Sequence, residues 1–212
     1  MKRTKKGDGS PETFLFQAAK EIQDFLSENC WSFMFIGGLA LLRWGRRRTT
    51  EDVDGTVLTM FIDEEKYVDA ILARFDSRIS KAREFALQNR VLLLTASNGV
   101  RIDFSLGGLP FERQAVERAS LYEYAKGCEL RTCSAEDLIV LKAFAAREQD
   151  WADVRSVLER QKGKLDFDYI RQNLAPLIEL KEAPEIMLHW EELVRTTASS
   201  HLAPPSLNGK MG

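Results

Sequence analysis

Asp52 and Asp54 stand two residues apart at the end of a stretch that reads Phe35-Ile36-Gly37-Gly38-Leu39-Ala40, then Arg46-Arg47-Arg48-Thr49-Thr50-Glu51-Asp52-Val53-Asp54. On an extended chain alternate side chains point the same way, so the two carboxylates face one side. A third, Asp103, lies in Val100-Arg101-Ile102-Asp103-Phe104, whose apolar–polar alternation is that of a half-buried strand. Ile102 and Phe104 take one face of it and Asp103 the other. If that strand lies beside the one carrying Asp52 and Asp54, three carboxylates converge. Their mutual repulsion makes a hard cation the natural occupant, and Mg²⁺ prefers oxygen ligands that it shares with phosphates. Gly37-Gly38 offers a turn where backbone can approach a phosphate. Arg43, Arg46, Arg47 and Arg48 place positive charge just ahead of the acids. The set predicts a site for a nucleoside triphosphate and a divalent metal.

Several elements must position these residues. Ser10-Pro11 opens a helix over 11–29, with Phe14, Ala18, Ile22 and Phe25 near helical spacing. Trp31–Ile36 reads as the first strand, Leu39–Trp44 as a helix after the glycine turn, and Val53–Ile62 as the second strand. Helices are predicted over Glu64–Phe75 and Lys81–Asn89. A hairpin follows over 91–105, turned by Ser97-Asn98-Gly99. Phe111–Arg118 reads as a short helix or loop, and Cys128–Thr132 as a strand. Ser134, three residues before Asp137, caps a new helix with Leu138, Leu141 and Ala145 on one face. A further helix is predicted to begin near Asp150, and no strand is evident from Ser134 onward. The fold class expected is α+β: a mixed sheet flanked by helices (11–133), with a C-terminal helical lobe (134–196). The polar, Gly- and Pro-containing ends, 1–10 and 197–212, are expected to be mobile tails.

Composition excludes more than it proposes. The 212 residues carry a formal net charge of −2, so no global basic field marks a nucleic-acid binder. No apolar run is long enough to span a membrane. Cys30, Cys128 and Cys133 have no CxxC spacing, which indicates neither a disulfide framework nor a zinc site and fits a reduced, cytoplasmic protein. His189 and His201 are not expected to be catalytic. Trp31, Trp44, Trp151 and Trp190 read as packing residues rather than a base-stacking platform.

The ordered set Gly37-Gly38, Asp52-x-Asp54 and Asp103 resembles the signature of the nucleotidyltransferase superfamily of the DNA polymerase β type. Gly37-Gly38-Leu39-Ala40 followed by Arg48-Thr49-Thr50-Glu51-Asp52-Val53-Asp54 is similar to the AbiEii-like group, toxins of toxin–antitoxin pairs. Lys142 on its helix and Arg147-Glu148-Gln149-Asp150-Trp151-Ala152-Asp153 extend the likeness. Many relatives have serine where this chain has Gly38, so the Gly38 N–H stands without a neighbouring hydroxyl.

The resemblance implies specific roles. Asp52, Asp54 and Asp103 would hold Mg²⁺ or Mn²⁺, with Asp103 on the second ion or acting as general base. Gly37 and Gly38 would give N–H groups to the triphosphate at a helix start. Arg48, with Thr50 beside it, would contact phosphate or a base edge. The Lys142 ammonium would neutralise the triphosphate, and Asp150 and Asp153 would flank the nucleotide. Plainer structural readings stand beside these: a surface lysine at 142, and an Arg147–Asp150 ion pair one helical turn apart. The activity implied is transfer of a nucleoside monophosphate to a tRNA end, a protein or a small molecule, by a toxin with a cognate antitoxin. An antibiotic-modifying adenylyltransferase and a non-catalytic nucleotide-binding or antitoxin module are the alternatives.

Overall fold

The computed structural model describes residues 10–199, so the expected tails fall almost wholly outside it. Ser10 is an exception. Its hydroxyl accepts from Thr13 N and caps helix α1 (Pro11–Glu28), with Pro11 in the first turn, where its missing N–H costs nothing. The last turn of α9 (Glu185–Ser199) is another, since residues 197–199 are helical where the sequence reads as tail.

Between them run β1 (Phe33–Phe35), α2 (Gly37–Trp44), β2 (Asp52–Leu58), α3 (Glu64–Arg74), β3 (Asp76–Ser77), α4 (Ala82–Asn89), β4 (Val91–Thr95) and β5 (Arg101–Gly107). Next come α5 (Pro110–Arg118), β6 (Ser120–Ala125), β7 (Cys128–Thr132), α6 (Ala135–Ala145), α7 (Glu148–Arg160) and α8 (Phe167–Lys181). The seven strands form one sheet in the order β3-β4-β5-β2-β1-β7-β6. It is mixed: β2 pairs parallel with β5 and β1 with β7, and the remaining pairs are antiparallel. The fold is α+β, as the sequence predicts.

Strand alternation builds two cores. Phe33, Phe35, Val53, Val57, Leu92, Leu94, Ile102 and Phe104 point to the face covered by α1, α3 and α4. Met34 points to the other, where it joins a cluster built by α2 and α5–α9. That second cover is partial. Val53 and Ile102 are fully buried on one face, whereas Asp52, Asp54, Leu93 and Asp103 on the opposite face remain half-buried. Met34 of β1 packs into the cluster that includes the helical lobe, whereas Asp52, Asp54, Asp103 and Ser105 on β2 and β5 keep part of their surface exposed.

Five elements differ from the sequence reading. Helix α2 begins on the glycines rather than after them. Strand β2 stops at Leu58, because Met60 and Phe61 turn into the left-handed region (φ +54° and +61°) and cannot continue a ladder. Strands β3 and β6 are additional. The first has two residues, and the second is an edge strand exposed along most of its length, so neither carries a core-facing alternation. Helix α6 is buried on several sides through Leu138, Ile139, Val140, Lys142 and Ala143, not along the single stripe expected, and Ala145 is exposed.

Candidate active site

The carboxylates meet through strand register. In the parallel β2–β5 ladder Asp54 is the cross-strand partner of Asp103, and Asp52 that of Arg101. Register partners share a face, so Asp52, Asp54 and Asp103 line one side of the sheet. Thr56 and Ser105, next along the same two rows, join hydroxyls at 2.8 Å below them.

The glycine corner is fitted to these acids. Gly37 has φ +56°, and a Cβ there would lie 2.1 Å from the Asp54 Oδ2. A Cβ at Gly38 would lie 2.2 Å from the Thr50 Oγ1. Both glycines are required by close approach, of the Asp54 carboxylate to one and the Thr50 side chain to the other. The Gly38 N–H at the start of α2 faces the Asp54 carboxylate and favours its charged form. Burial first, then the facing Asp103 and Asp52 carboxylates, push the Asp54 carboxyl above its ordinary value, while Gly38 N–H and Lys142 pull the other way. A Gly37→Ala variant combines a left-handed alanine with a collision against Asp54. It should lose at least ~2 kcal/mol in urea unfolding. Gly99→Ala, at φ +86° but with nothing within 4 Å of the added carbon, should lose only ~1 kcal/mol.

The lobe side of the site is a buried ion network. The Lys142 ammonium lies 2.8 Å from Asp150 Oδ1 and 3.0 Å from Asp153 Oδ2, with all three side chains buried. Arg48 grips Asp153 with both arms of its guanidinium, Nε at 3.1 Å and Nη2 at 3.0 Å, and Gln149 donates to the same carboxylate at 3.1 Å. Arg147 pairs with Asp150 at 2.6 Å, the ion pair that the spacing allowed. Lys142 is thus neither the surface lysine nor an unengaged triphosphate ligand. Arg48 ties the loop before β2 to α7 and spends its fork there.

Burial pushes Asp150 up, but hydrogen bonds from Arg147 and Lys142 overcome it, and the carboxyl ends below its ordinary 3.8. Asp153 follows the same course, with burial opposed by Arg48 and Lys142. A depressed folded value means stability that is present above the ordinary carboxylate range and is lost as pH falls through the folded values. The network should therefore hold without change above about pH 5 and weaken below pH 4. Urea midpoints measured from pH 6 to pH 3 should fall more steeply for the parent than for Asp153→Asn.

Two site residues escaped the sequence reading. Arg101 Nε donates to Asp52 Oδ1 at 2.6 Å, and Arg78 forms an ion pair with Asp103. Arg101 was findable: it lies two residues before Asp103 on one strand, hence on the same face. Arg78, 25 residues from its partner and outside any strand pattern, left no signal. Among the described residues, no three histidine, cysteine or carboxylate side chains stand close enough together to hold a metal ion. Chemistry, shared face and register fit a hard cation at Asp52, Asp54 and Asp103, and like-charge repulsion on Asp54 favours one.

The chain matches, over residues 15–189, a family described as nucleotidyl transferase of unknown function (DUF2204). It belongs to that family and is a nucleotidyltransferase. No curated protein matches it in sequence. Among solved structures it is similar to an antigenic nucleotidyltransferase-like protein from Paracoccidioides brasiliensis, at 15% identity, covering 85% of this chain and 92% of that one, with a TM-score of 0.47. The antibiotic-resistance factor ANT(2'')-Ia is similar at 15% identity, 82% and 96% coverage and a TM-score of 0.48. The lincosamide antibiotic adenylyltransferase LnuA, in its lincomycin-bound form, gives 12% identity, 66% and 94% coverage and 0.43. Likenesses this distant carry no weight for substrate or reaction. No helix among the described residues is long and apolar enough to cross a membrane.

Proposed function

We propose that this nucleotidyltransferase moves a nucleoside monophosphate from a nucleoside triphosphate to an acceptor hydroxyl and releases pyrophosphate, with Mg²⁺ or Mn²⁺ held by Asp52, Asp54 and Asp103. The observation that carries this is the pairing of Asp54 with Asp103 across β2 and β5, on the open part of the sheet and against the glycine corner. A divalent cation at these carboxylates supplies Lewis acidity to phosphate oxygens and offsets the charge that develops in phosphoryl transfer. The chain's own residues do the rest. Gly38 N–H fixes the Asp54 carboxylate. Asp103, once free of Arg78, would accept the acceptor's proton. Lys142 and Arg147 add positive charge near Asp54 while paired to Asp150 and Asp153.

The acceptor we favour is a tRNA end. Arg46 and Arg47 lie exposed on the chain that leads into β2, suited to an approaching polyanion. In this reading the protein is the toxin of a toxin–antitoxin pair, in keeping with the Gly-Gly-x-Ala and Arg-x-Thr-x-Asp-x-Asp patterns. Incubating the protein and Mg²⁺ with each labelled triphosphate, in turn with total tRNA, lysate protein, an aminoglycoside or a lincosamide, tests it. Label on tRNA is the expected outcome. Label on protein or antibiotic keeps the reaction and replaces the acceptor. Binding of triphosphate with a raised melting temperature but no pyrophosphate in any mixture would leave a non-catalytic binding module.

A further inference from the structure

We infer that Arg101 and Arg78 compete with a divalent cation for Asp52 and Asp103, and that the cation binds by displacing both guanidinium groups. This rests on the metal reading above and adds to it what a cation must displace. The arginines are placed by the sheet itself. Arg101 is the register partner of Asp52. Arg78 follows edge strand β3, and its backbone N–H bonds the carbonyl of Leu93, the register partner of Asp103 on β4. Each guanidinium thus reaches its carboxylate along a ladder that also carries the acids. Asp54 pairs with neither; it is held by Gly38 N–H and feels the other two acids through space.

Both ion pairs are partly exposed, with Arg101 half open to solvent and Arg78 about a quarter. Exposed pairs are weak and hold against water, but not against a divalent ion that answers three carboxylates at once. Arg101 has somewhere to go: Glu51 already lies 3.8 Å from its Nη2. The two arginines are positioning residues. They set the cation concentration at which the site fills, through Asp52 and Asp103.

Mn²⁺ binding to the full chain, without nucleotide, measured by electron paramagnetic resonance, tests this. Arg101→Ala and Arg78→Ala should each bind Mn²⁺ about two- to fivefold more tightly than the parent, and the double variant about tenfold. Solvent exchange of the Arg101 Nε–H, followed by nitrogen-15 NMR during Mg²⁺ titration, should speed up as its bond to Asp52 opens. Unchanged or weaker Mn²⁺ binding in both single variants overturns the inference. So does tighter binding with no change in the Arg101 Nε–H, which would mean that only charge was removed. Asp54→Asn separates the two proposals: if it binds Mn²⁺ like the parent, the metal reading itself fails. If it loses Mn²⁺ while the arginine variants match the parent, only the counter-ion role fails.

Discussion

Asp54→Ala should lose nucleotide transfer by about a thousandfold or more, roughly 4 kcal/mol of transition-state stabilisation, while folding at least as firmly as the parent. The first half follows from its position: it is the carboxylate that touches the glycine corner and faces Asp103 in register. The second half follows from its electrostatics. Burial and two like charges raise the Asp54 carboxyl, so its ionised form is a burden on the folded state. For a group whose folded value is raised, stability is greatest below the unfolded value and declines as pH climbs through the folded one. Alanine removes that burden at neutral pH and leaves the Gly38 N–H to water. Urea unfolding at pH 7 should show the variant equal to or slightly above the parent, with the difference vanishing below about pH 4. Transfer at the parent's rate would remove the metal reading, and a strongly destabilised variant would remove the electrostatic account.

The second large effect is on stability. Lys142→Met should cost ~3–5 kcal/mol, because it leaves Asp150 and Asp153 buried with their shared cation gone. At ~2–4 °C per kcal/mol for a chain of this size, the melting temperature should drop by roughly 6–20 °C. Adding Asp150→Asn to Lys142→Met should restore part of the loss, since one of the two buried carboxylates that lost the shared ammonium is then neutral, its other partner Arg147 being largely exposed. A Lys142 variant within about 1 kcal/mol of the parent would contradict the buried network. Lost activity in a destabilised Lys142 variant therefore does not identify the triphosphate contact that the sequence alone suggests for this lysine. Only the structure separates the two, because helical spacing placed Lys142 at the edge of an apolar stripe, whereas α6 is enclosed on several sides.

The Asp52-x-Asp54 pair and its facing were legible because strand periodicity is local: two residues advance the chain and return the side chain to the same side. The hairpin carrying Asp103 was legible for the same reason, helped by Gly99 at φ +86° in the turn. Ser10 and Ser134 marked helix starts through a hydroxyl that needs only a backbone N–H three residues on. Strand β6 was not legible, since an exposed edge strand has no apolar row to announce it. Nor was the engagement of Arg48 with Asp153, 105 residues apart.

What the sequence determined by itself was which residues carry charge, where the chain must turn, and which side of each strand the acids take, all of which follow from steric preference and period. The tertiary structure decided which strand lies beside which, and hence that Asp54 meets Asp103. It also decided that the cations near them are already committed: Lys142 and Arg48 to buried carboxylates, Arg101 and Arg78 to the site's own acids. Charge acts through space at a few ångströms, and neighbours at that distance are set by packing rather than by order along the chain.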